Sequence, residues 1–278
     1  MFERVNCCHP DVLCDRIAGA IVDIAYLNEE NPKVAVEVLA GHGECNIIIE
    51  SSVDFNRPEL QTNVKQKVYE ITKTNSKSLK IRIKAVPQDV HLAENQSQET
   101  RCGDNGIFKG VPLTMEQKEL ARIARDLYSH FPTDGKYILH NSNLVICQSC
   151  ATKEEIEKYY NGPNVIINPL GEWTGGINTD SGATNRKLGS NMADSVTGGG
   201  LHGKDLSKAD VSVNIYCFEK AQELNQVVRA YCSIGADFVT VYFGEVAKKV
   251  PYKEIVDFAK EYINKVGGFE KFAEWGLF

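Results

Sequence analysis

The stretch KVAVEVLAGHGECNIIIESS, residues 33–52, decides the architecture that the sequence predicts. It holds two runs rich in β-branched and apolar residues, KVAVEVLA and CNIIIESS, on either side of the glycine-containing connection Gly41–Gly43. Such runs favour strands, and a short connection with glycine between two of them is typical of a β-hairpin. The pattern therefore predicts two neighbouring strands, with Glu37 on the first and Glu50 on the second.

Helical patterns flank this hairpin on both sides. Apolar residues recur at helical spacing after the tripeptide HPD, which predicts a helix from about Asp11 to Asn28 that stops before Pro32. A second helix is predicted from Pro58 to about Thr74, and the alternating stretch LKIRIKAV after it predicts a strand. Helix, two strands and helix make one structural unit.

The same order of elements is predicted twice more. The second unit has a helix from about Met115 to Phe131, the strands KYILH and LVICQ, a short helix in TKEEIEKYY and the strand NVIIN. The third has a helix from about Ser207 to Val228, the strands AYCSIG and DFVTVYF, and a helix from Pro251 to about Val266. We therefore expect an α/β (α+β) fold of three similar α-β-β-α subdomains. Their expected bounds are residues 1–110, interleaved with the C-terminal part, then 111–170 and 171–278.

Composition and charge exclude several classes of protein. With 278 residues, of which 42% are hydrophobic and 24% charged, the chain has an ordinary globular composition and is long enough for an enzyme. Its net charge of −6 argues against a general nucleic-acid binder, and no apolar run is long enough to cross a bilayer. The start MFERVNCCHPD lacks the apolar stretch of a signal peptide, and nine scattered cysteines favour reduced thiols. We expect a cytoplasmic protein with no nucleic-acid or membrane partner.

A glycine-rich stretch, residues 168–205, separates the second unit from the third. From Gly198 it has the spacing G-x-x-x-x-G-K of a phosphate-binding P-loop. However, Asp205 follows the lysine where a P-loop needs a Ser or Thr hydroxyl, and no β-branched strand is predicted to end just before the glycines. A P-loop triphosphatase is therefore disfavoured. The composition leaves open an anion-binding loop with Lys204 among its cations and a flexible surface insertion.

Five short motifs in order along most of the chain resemble those of the methionine adenosyltransferases, also called S-adenosylmethionine synthetases. They are HPD at the start of the first helix, GDNG, DSGATNRK, GGGLHGKD and LSKAD. The family is also built of three similar α/β subdomains, in a pseudo-threefold arrangement. Its members form S-adenosylmethionine from ATP and L-methionine and hydrolyse the released triphosphate to phosphate and pyrophosphate. The resemblance implies this activity.

The resemblance also implies roles for the residues that match the family's motifs. Asp11 and Asp210 match ligands of two Mg²⁺ ions per site, and Glu37 matches the glutamate of a K⁺ site. His9 matches a histidine beside the bond that breaks. The positions that match phosphate-contacting cations are Lys136, Arg186, Lys187, Lys204 and Lys208.

Further matches concern the substrates and a second subunit. Asp180 matches the aspartate that takes the methionine amine, and Trp173 lies where the family stacks an aromatic ring on adenine. Glu50 matches a glutamate that meets methionine from the neighbouring subunit, and Asp104 matches a residue that crosses the dimer interface. The resemblance implies a homodimer with active sites at the interface, alone or as a dimer of dimers.

The chain departs from the family pattern near these motifs. Asn6, Cys7 and Cys8 stand where the family has Ser-Glu-Gly before HPD. Val12 replaces a lysine, and Val211 replaces an arginine after the LSKAD aspartate. The glycine motif is one residue shorter than GGGAFSGKD, and the connection that corresponds to the family's lid is compressed. Two functions stay open: an active methionine adenosyltransferase, or a nucleotide-binding or regulatory paralogue with impaired turnover.

Overall fold

The structure of the protein is a computed structural model, and it describes residues 1–95, 100–192, 195–197 and 199–278. Residues 96–99, in the compressed connection, and Gly198, in the glycine motif, lie outside the described residues. Within these ranges the strands are β1 (Phe2–Val5), β2 (Val34–Gly41), β3 (Glu44–Ser51), β4 (Lys80–Pro87), β5 (Gly106–Gly110), β6 (Gly135–His140), β7 (Asn143–Gln148), β8 (Val165–Ile167), β9 (Ser181–Ala183), β10 (Val196–Thr197), β11 (Val228–Cys232), β12 (Phe238–Phe243) and β13 (Val246–Pro251).

The six predicted helices lie close to their predicted positions, and three further short helices within the described ranges were not predicted. The first begins at Pro10, because His9 caps its N-terminus with a side-chain nitrogen and proline fits the first helical position. None of the helices in the described ranges combines the length and apolar character needed to cross a membrane. They are α1 (Pro10–Asn28), α2 (Pro58–Thr72), α3 (Val90–Asn95), α4 (Met115–His130), α5 (Lys153–Ile156), α6 (Leu188–Met192), α7 (Ala209–Leu224), α8 (Tyr252–Val266) and α9 (Phe269–Trp275).

Three sheets form the framework, and each takes a strand from a distant part of the chain. The predicted hairpin β2–β3 pairs with β4 along one edge and with β9 along the other. The N-terminal strand β1 pairs with β6, beside β7 and β8, and β5 lies between β10 and β11 in the sheet that ends with β12 and β13. The α/β fold expected from three repeated units is confirmed.

The hairpin β2–β3 has the geometry that its sequence predicts. His42 and Gly43, the two residues between the strands, have φ values of 51° and 82°, as a tight hairpin turn requires. Alternate residues such as Val36 and Ile47 are buried in the core that the sheet shares with α1. The opposite face carries Glu37, which is exposed.

The structure differs from the sequence prediction where elements are short or polar. Helix α7 ends at Leu224 instead of reaching Val228, because Asn225 adopts the left-handed conformation and Val228 already belongs to β11. Strand β13 was not predicted, since its residues are mostly exposed and include two lysines. Strands β9 and β10 have only three and two residues, too few for a periodic pattern.

Helix α9 packs along α1 and holds it in place. Gly19 allows the close approach, because a Cβ at this position would lie 2.5 Å from the carbonyl oxygen of Phe269. Asp23 accepts hydrogen bonds from the backbone N–H groups of Phe269 and Glu270, at 2.8 and 2.9 Å, and so caps the first turn of α9. Arg16 pairs with Glu270 at 2.9 Å. The helix that begins at His9 is thus braced from the C-terminal end of the chain.

We predict that Gly19→Ala lowers the free energy of unfolding by roughly 1–3 kcal/mol, because a methyl group here forces two helix backbones apart. Gly189→Ala is the matched control: a Cβ on this helical glycine would meet nothing within 4 Å. It should leave stability unchanged or raise it by up to about 1 kcal/mol through helix propensity. Urea denaturation followed by circular dichroism compares the two variants. Equal stabilities would contradict the proposed packing role.

Candidate active site

The first turn of α1 holds a carboxylate that has no exposed surface. Asp11 is 0% exposed, and its Oδ1 accepts a hydrogen bond from the N–H of Ala183 at 2.8 Å and lies 2.7 Å from Arg186 Nε. Its Oδ2 lies 3.7 Å from Lys187 Nζ, and no hydrogen-bond donor within the described residues reaches it. A buried carboxylate needs compensating charge. The fold therefore brings Asp11, Arg186 and Lys187 together.

His9 stands directly before this turn and is neutral. Its Nδ1 accepts the N–H of Asp11 at 3.2 Å, so the neutral ring carries its proton on Nε2. Burial lowers the pKa of His9 to about 4. The charged groups near enough to act on this pKa as well are Asp11, Lys187, Asp180 and Lys136. Of these groups Asp11 contacts the ring, with its Oδ2 3.7 Å from His9 Nδ1, whereas Lys136 pairs with Glu3 at 3.1 Å.

Asn185 connects α1 with residues 199–204, which we call the glycine-rich loop. Its N–H donates to Asp15 Oδ1 at 2.6 Å, while its side chain exchanges two hydrogen bonds with the backbone of His202, at 2.9 and 3.2 Å. Asn185 has a φ of 61°, a left-handed conformation that asparagine tolerates. A Cβ on Gly200 would lie 2.5 Å from Asn185 Nδ2, which explains why the loop carries glycine there.

A second ion pair lies on the other side of this loop. Lys204 Nζ is 2.5 Å from Asp210 Oδ2, in the first turn of α7. Asp210 is only 7% exposed. A Cβ on Gly199 would lie 2.6 Å from the same carboxylate oxygen, so the glycine backbone runs directly over it. Backbone and lysine thus converge on one acidic group.

Asp205 anchors the loop to the hairpin. Its Oδ2 accepts the N–H of Val34 and its Oδ1 accepts that of Ser207, each at 2.8 Å, and the residue is fully buried. One sequence expectation is wrong here, because a short strand, β10, does end at Thr197. It pairs antiparallel with β5, and the next helix begins only at Ala209. Among the described residues the helix thus begins five residues after Lys204, and not directly at the Gly-Lys pair as in a P-loop.

Glu37 and Trp173 lie beside these groups. Glu37 accepts a hydrogen bond from Thr184 Oγ1, and Thr184 directly precedes Asn185 in the chain. The ring of Trp173 and the carboxylate of Asp134 lie on the same side of Gly175, since a Cβ there would meet them at 2.7 and 2.6 Å. Glu37 therefore lies next to the segment that carries Arg186, and Trp173 lies next to Asp134.

Within the described residues, several predicted residues make no hydrogen bond or ion pair with the side chains of the site, among them Lys136 and Asp180. Glu50 is exposed near the end of β3, and Asp104 lies in the turn before β5. Lys208 is the N-cap residue of α7, but its side chain makes no capping hydrogen bond. Roles for these residues depend on a ligand or a second subunit.

Two acids that sequence reasoning did not single out belong to the site. Asp134 is buried and accepts the N–H of Gly176 at 2.9 Å, and burial, reinforced by neighbouring acids, raises its pKa to about 6. Asp15 lies one turn after Asp11, and burial raises its pKa well above the ordinary value. The available signals were the spacing of Asp15 from Asp11 and the position of Asp134 two residues before Lys136.

The two valines that replace family cations are both part of the hydrophobic interior. Val12 is 1% exposed and belongs to a small cluster with Val5 and Cys7. Val211 is fully buried in the main core. A lysine or arginine at either position would bring charge into these cores, which is costly. In this chain the substitutions therefore fill the interior, and the two ion pairs of the site are retained.

The acids of the site match part of a magnesium site. No group of three or more His, Cys, Asp or Glu side chains that could hold a metal by itself occurs among the described residues. Mg²⁺ is usually held by one or two carboxylates together with phosphate oxygens and water. The buried Oδ2 of Asp11, which lacks a hydrogen bond, is an oxygen of the required type. Asp210 offers a second carboxylate, although Lys204 now contacts it.

Comparison with known sequences agrees with these motifs. The family profile described as the S-adenosylmethionine synthetase N-terminal domain matches residues 1–98. An S-adenosylmethionine synthase from Mycoplasma mycoides subsp. mycoides is 28% identical over 280 residues, which cover 80% of this chain and 72% of that relative. One from Tropheryma whipplei is 25% identical over 283 residues, with 75% and 71% covered. The chain therefore resembles S-adenosylmethionine synthetases, in its first 98 residues by the family profile and over most of its length by these relatives.

The fold of this family is also found by comparison with solved structures. A structure described as an unusual S-adenosylmethionine synthetase from Campylobacter jejuni superposes with a TM-score of 0.72, covering 100% of this chain and 95% of that one. The sequence identity is 19%, so this likeness concerns the fold alone. It confirms the S-adenosylmethionine synthetase-like fold expected from the sequence.

A second buried histidine, His202, lies in the glycine-rich loop. The ring packs against Phe272 with 5.1 Å between centroids, and no hydrogen-bond partner for its Nδ1 occurs among the described residues. Burial lowers the pKa of His202 to about 4. Between pH 6.5 and about 4 the unfolded chain therefore binds a proton that the native protein does not.

We predict that this difference makes the native protein less stable as the pH falls through that window, by roughly 1–3 kcal/mol for His202 alone. Asp15 and Asp134, whose pKa values are raised, contribute with the opposite sign. The test therefore compares His202→Phe with the wild type by urea denaturation from pH 7 to 4. The variant should lose less stability on acidification. Parallel pH profiles would contradict the assignment of a neutral, buried His202.

Proposed function

We propose that the protein is a methionine adenosyltransferase, which forms S-adenosylmethionine from ATP and L-methionine and hydrolyses the triphosphate to phosphate and pyrophosphate. The observation that carries this proposal is the pair of carboxylate–cation contacts on two sides of one glycine-rich loop. Asp11 pairs with Arg186, and Asp210 pairs with Lys204. Carboxylates can hold metal ions and the cations can hold phosphates, so both halves of a metal–polyphosphate complex have partners here.

The reaction explains why such a site needs many charges. The methionine sulfur attacks C5′ of the ATP ribose, a sulfonium forms, and the triphosphate leaves with the electrons of the C–O bond. Sulfur is a good neutral nucleophile, so the protein mainly aligns the reactants and stabilises charge on the leaving group. We assign this stabilisation to Arg186, Lys187 and Lys204, with Lys136 and Lys208 as further contacts to the triphosphate.

His9 suits the position beside the breaking bond because it is a neutral donor. Its Nδ1 is occupied by the N–H of Asp11, which leaves the proton on Nε2. With a pKa lowered to about 4 by burial, the ring keeps this form at neutral pH. We propose that Nε2–H donates to the departing oxygen or to the triphosphate beside it.

Asp11 and Asp210 would hold one Mg²⁺ each, and Glu37 the K⁺ ion. Bound Mg²⁺ supplies positive charge that neutralises the leaving triphosphate. The chain itself supplies Arg186 and Lys204, which pair with these carboxylates and have a phosphate as their alternative partner. The buried, unpartnered Oδ2 of Asp11 supports this assignment.

The remaining residues recognise the two substrates. We assign the methionine ammonium to Asp180, which is close enough to influence the pKa of His9. Trp173, half-buried beside Gly175, would pack on the adenine ring. Val12 and Val211 are buried in the hydrophobic interior. The cations that these valines replace are therefore lost from the interior, while Asp11–Arg186 and Asp210–Lys204 keep all their charges. This favours the active enzyme over a paralogue with impaired turnover.

The decisive experiment incubates the purified protein with ATP, L-methionine, Mg²⁺ and K⁺ and measures S-adenosylmethionine by mass spectrometry. We predict formation that requires Mg²⁺ and falls by roughly 10²–10³-fold in Asp11→Asn and in Asp210→Asn, since each loses a metal ligand. The exposed Asp257→Asn, on α8, is the charge-matched control and should keep full turnover. Melting curves verify that each variant is folded.

The outcomes of this experiment separate the candidate functions. Absence of S-adenosylmethionine with the folded wild type would favour the nucleotide-binding or regulatory paralogue. Full activity and unchanged metal dependence in either aspartate variant would mean that this residue is not a metal ligand.

We further propose that the protein is a homodimer, in which Glu50 and Asp104 of each subunit complete the partner's site. Two sheets support this proposal with apolar residues on an uncovered face. Ile107 and Tyr231 are paired across β5 and β11 and are 76% and 51% exposed. Ile48, opposite Glu37 in the hairpin, is 49% exposed. A second subunit would remove such patches from water.

Sedimentation equilibrium at micromolar concentration tests this assembly. We predict a dimer for the wild type and a dissociation constant raised at least about tenfold in Ile107→Asp, because a carboxylate would be buried at the interface. Leu170→Asp, at a position fully exposed in a loop, is the control and should remain dimeric. An active wild-type monomer would contradict the proposal.

The protein is placed in the cytoplasm as part of the same proposal. All nine cysteines are free thiols, which is the state expected in a reducing compartment. Fluorescence localisation of a tagged chain tests this placement.

A further inference from the structure

Asn185 contacts two parts of the site at once. Its backbone N–H donates to Asp15 Oδ1 at 2.6 Å, which holds it against α1, one turn after Asp11. Its side-chain Oδ1 accepts the N–H of His202 at 2.9 Å, and its Nδ2 donates to the carbonyl oxygen of the same residue at 3.2 Å. The side-chain amide thus pairs with both polar backbone groups of one loop residue, as a neighbouring strand would. The loop is fixed to the helix through Asn185.

The two halves of the glycine-rich loop are held in different ways. The second half is held by the hairpin, since Gly203 O accepts the N–H of Val36 at 2.7 Å. In the first half, residues 199–202, the side chain of Leu201 is buried in the main core. The hydrogen bonds that this half makes within the described residues are both with Asn185. Its position therefore depends on a single polar side chain.

The first half of the loop is also the part that covers the second ion pair. The backbone of Gly199 runs directly over the carboxylate of Asp210, which Lys204 contacts. On the other side, the residue after Asn185 is Arg186, which belongs to the first ion pair. Asn185 therefore sets the distance between the two groups of charge that are assigned to one triphosphate.

The contact between Asn185 and the loop is close and specific. A Cβ on Gly200 would lie 2.5 Å from Nδ2 and 3.0 Å from Cγ of Asn185, and its three nearest neighbouring atoms all belong to that side chain. Asn185 has a φ of 61°, a conformation that glycine adopts without strain. Asn185→Gly therefore removes both bonds to the loop but keeps the backbone conformation and the N–H that Asp15 accepts.

We propose that Asn185 is a positioning residue for the triphosphate. It holds the first half of the glycine-rich loop against α1, so that the N–H groups of Gly199 and Gly200 and the ammonium of Lys204 meet the same anion as Arg186. This role rests on the proposed function, in which triphosphate is the leaving group. Without the amide the anion itself has to order the loop, and this ordering lowers its affinity.

The first experiment measures binding of inorganic triphosphate, in the presence of Mg²⁺, by isothermal titration calorimetry. Asn185→Gly should raise the dissociation constant by roughly five- to thirtyfold, because two neutral hydrogen bonds that order the loop are lost. Asn225→Gly is the matched control, since exposed Asn225 has a φ of 49° at the end of α7. It should leave the dissociation constant unchanged.

Gly200→Ala completes a double-mutant cycle. In the wild-type background the added methyl group displaces either the Asn185 amide or the loop, and it should weaken triphosphate binding by at least about fivefold. In the Asn185→Gly background the atoms that this methyl group would meet are absent. The double variant should therefore bind triphosphate as Asn185→Gly does. Melting curves verify that each variant is folded.

Steady-state kinetics separate positioning from a general loss of structure. Asn185→Gly should lower kcat/KM for ATP by about the same factor as the triphosphate affinity, and KM for L-methionine should stay within about twofold of the wild type. Equal losses for both substrates, together with a lower melting temperature, would indicate a merely structural role and overturn the proposal.

The cycle has two further outcomes that contradict the proposal. One is an unchanged triphosphate affinity in Asn185→Gly or in Gly200→Ala, and the second of these variants tests the contact even if the first does not fold. The other is additivity, which would mean that Gly200 acts independently of Asn185. A wild type that binds triphosphate but forms no S-adenosylmethionine would refute the proposed function, whereas the cycle would still decide the role of Asn185.

Discussion

The need to neutralise one buried carboxylate organises this protein. Asp11 has no exposed surface, and it lies at the start of a helix that the core surrounds on nearly every side. Its charge is balanced by Arg186 and Lys187, which come from the segment after β9, more than 170 residues later in the chain. Strand β9 pairs with the hairpin, and α9 braces α1, so sheet and helices all serve to hold this contact.

The same charges explain how the site can respond to a ligand. In the structure both Arg186 and Lys204 are paired with carboxylates, so neither cation is free. A polyphosphate would compete with these carboxylates for the cations, and metal ions would compete with the cations for the carboxylates. Binding of either ligand alone breaks an ion pair at a cost, whereas binding of both exchanges partners and leaves every charge compensated. Bound metal ions should therefore increase the affinity for polyphosphate, and bound polyphosphate should increase the affinity for metal ions.

The sequence predicted the elements with strong local patterns and missed those that depend on distant contacts. Helix α1, the hairpin and the motif residues around His9 could be predicted, because periodicity and short motifs are local. The pairing of β1 with β6 could not be predicted, since it joins residues more than 130 positions apart. Asp205 matched a motif but is a buried anchor for Val34, and Asp134 gave no periodic signal at all. The roles of such residues depend on burial and long-range hydrogen bonds, which a local sequence pattern does not show.

The measurement that tests this account most directly is the affinity of Asp210→Asn for inorganic triphosphate, by isothermal titration calorimetry with and without Mg²⁺. Without metal, the variant should bind more tightly than the wild type, by roughly three- to tenfold, because Lys204 no longer has to leave a carboxylate. With Mg²⁺ the order should reverse, since the metal has lost a ligand. A variant that binds more weakly than the wild type, or equally well, under both conditions would contradict the exchange of partners.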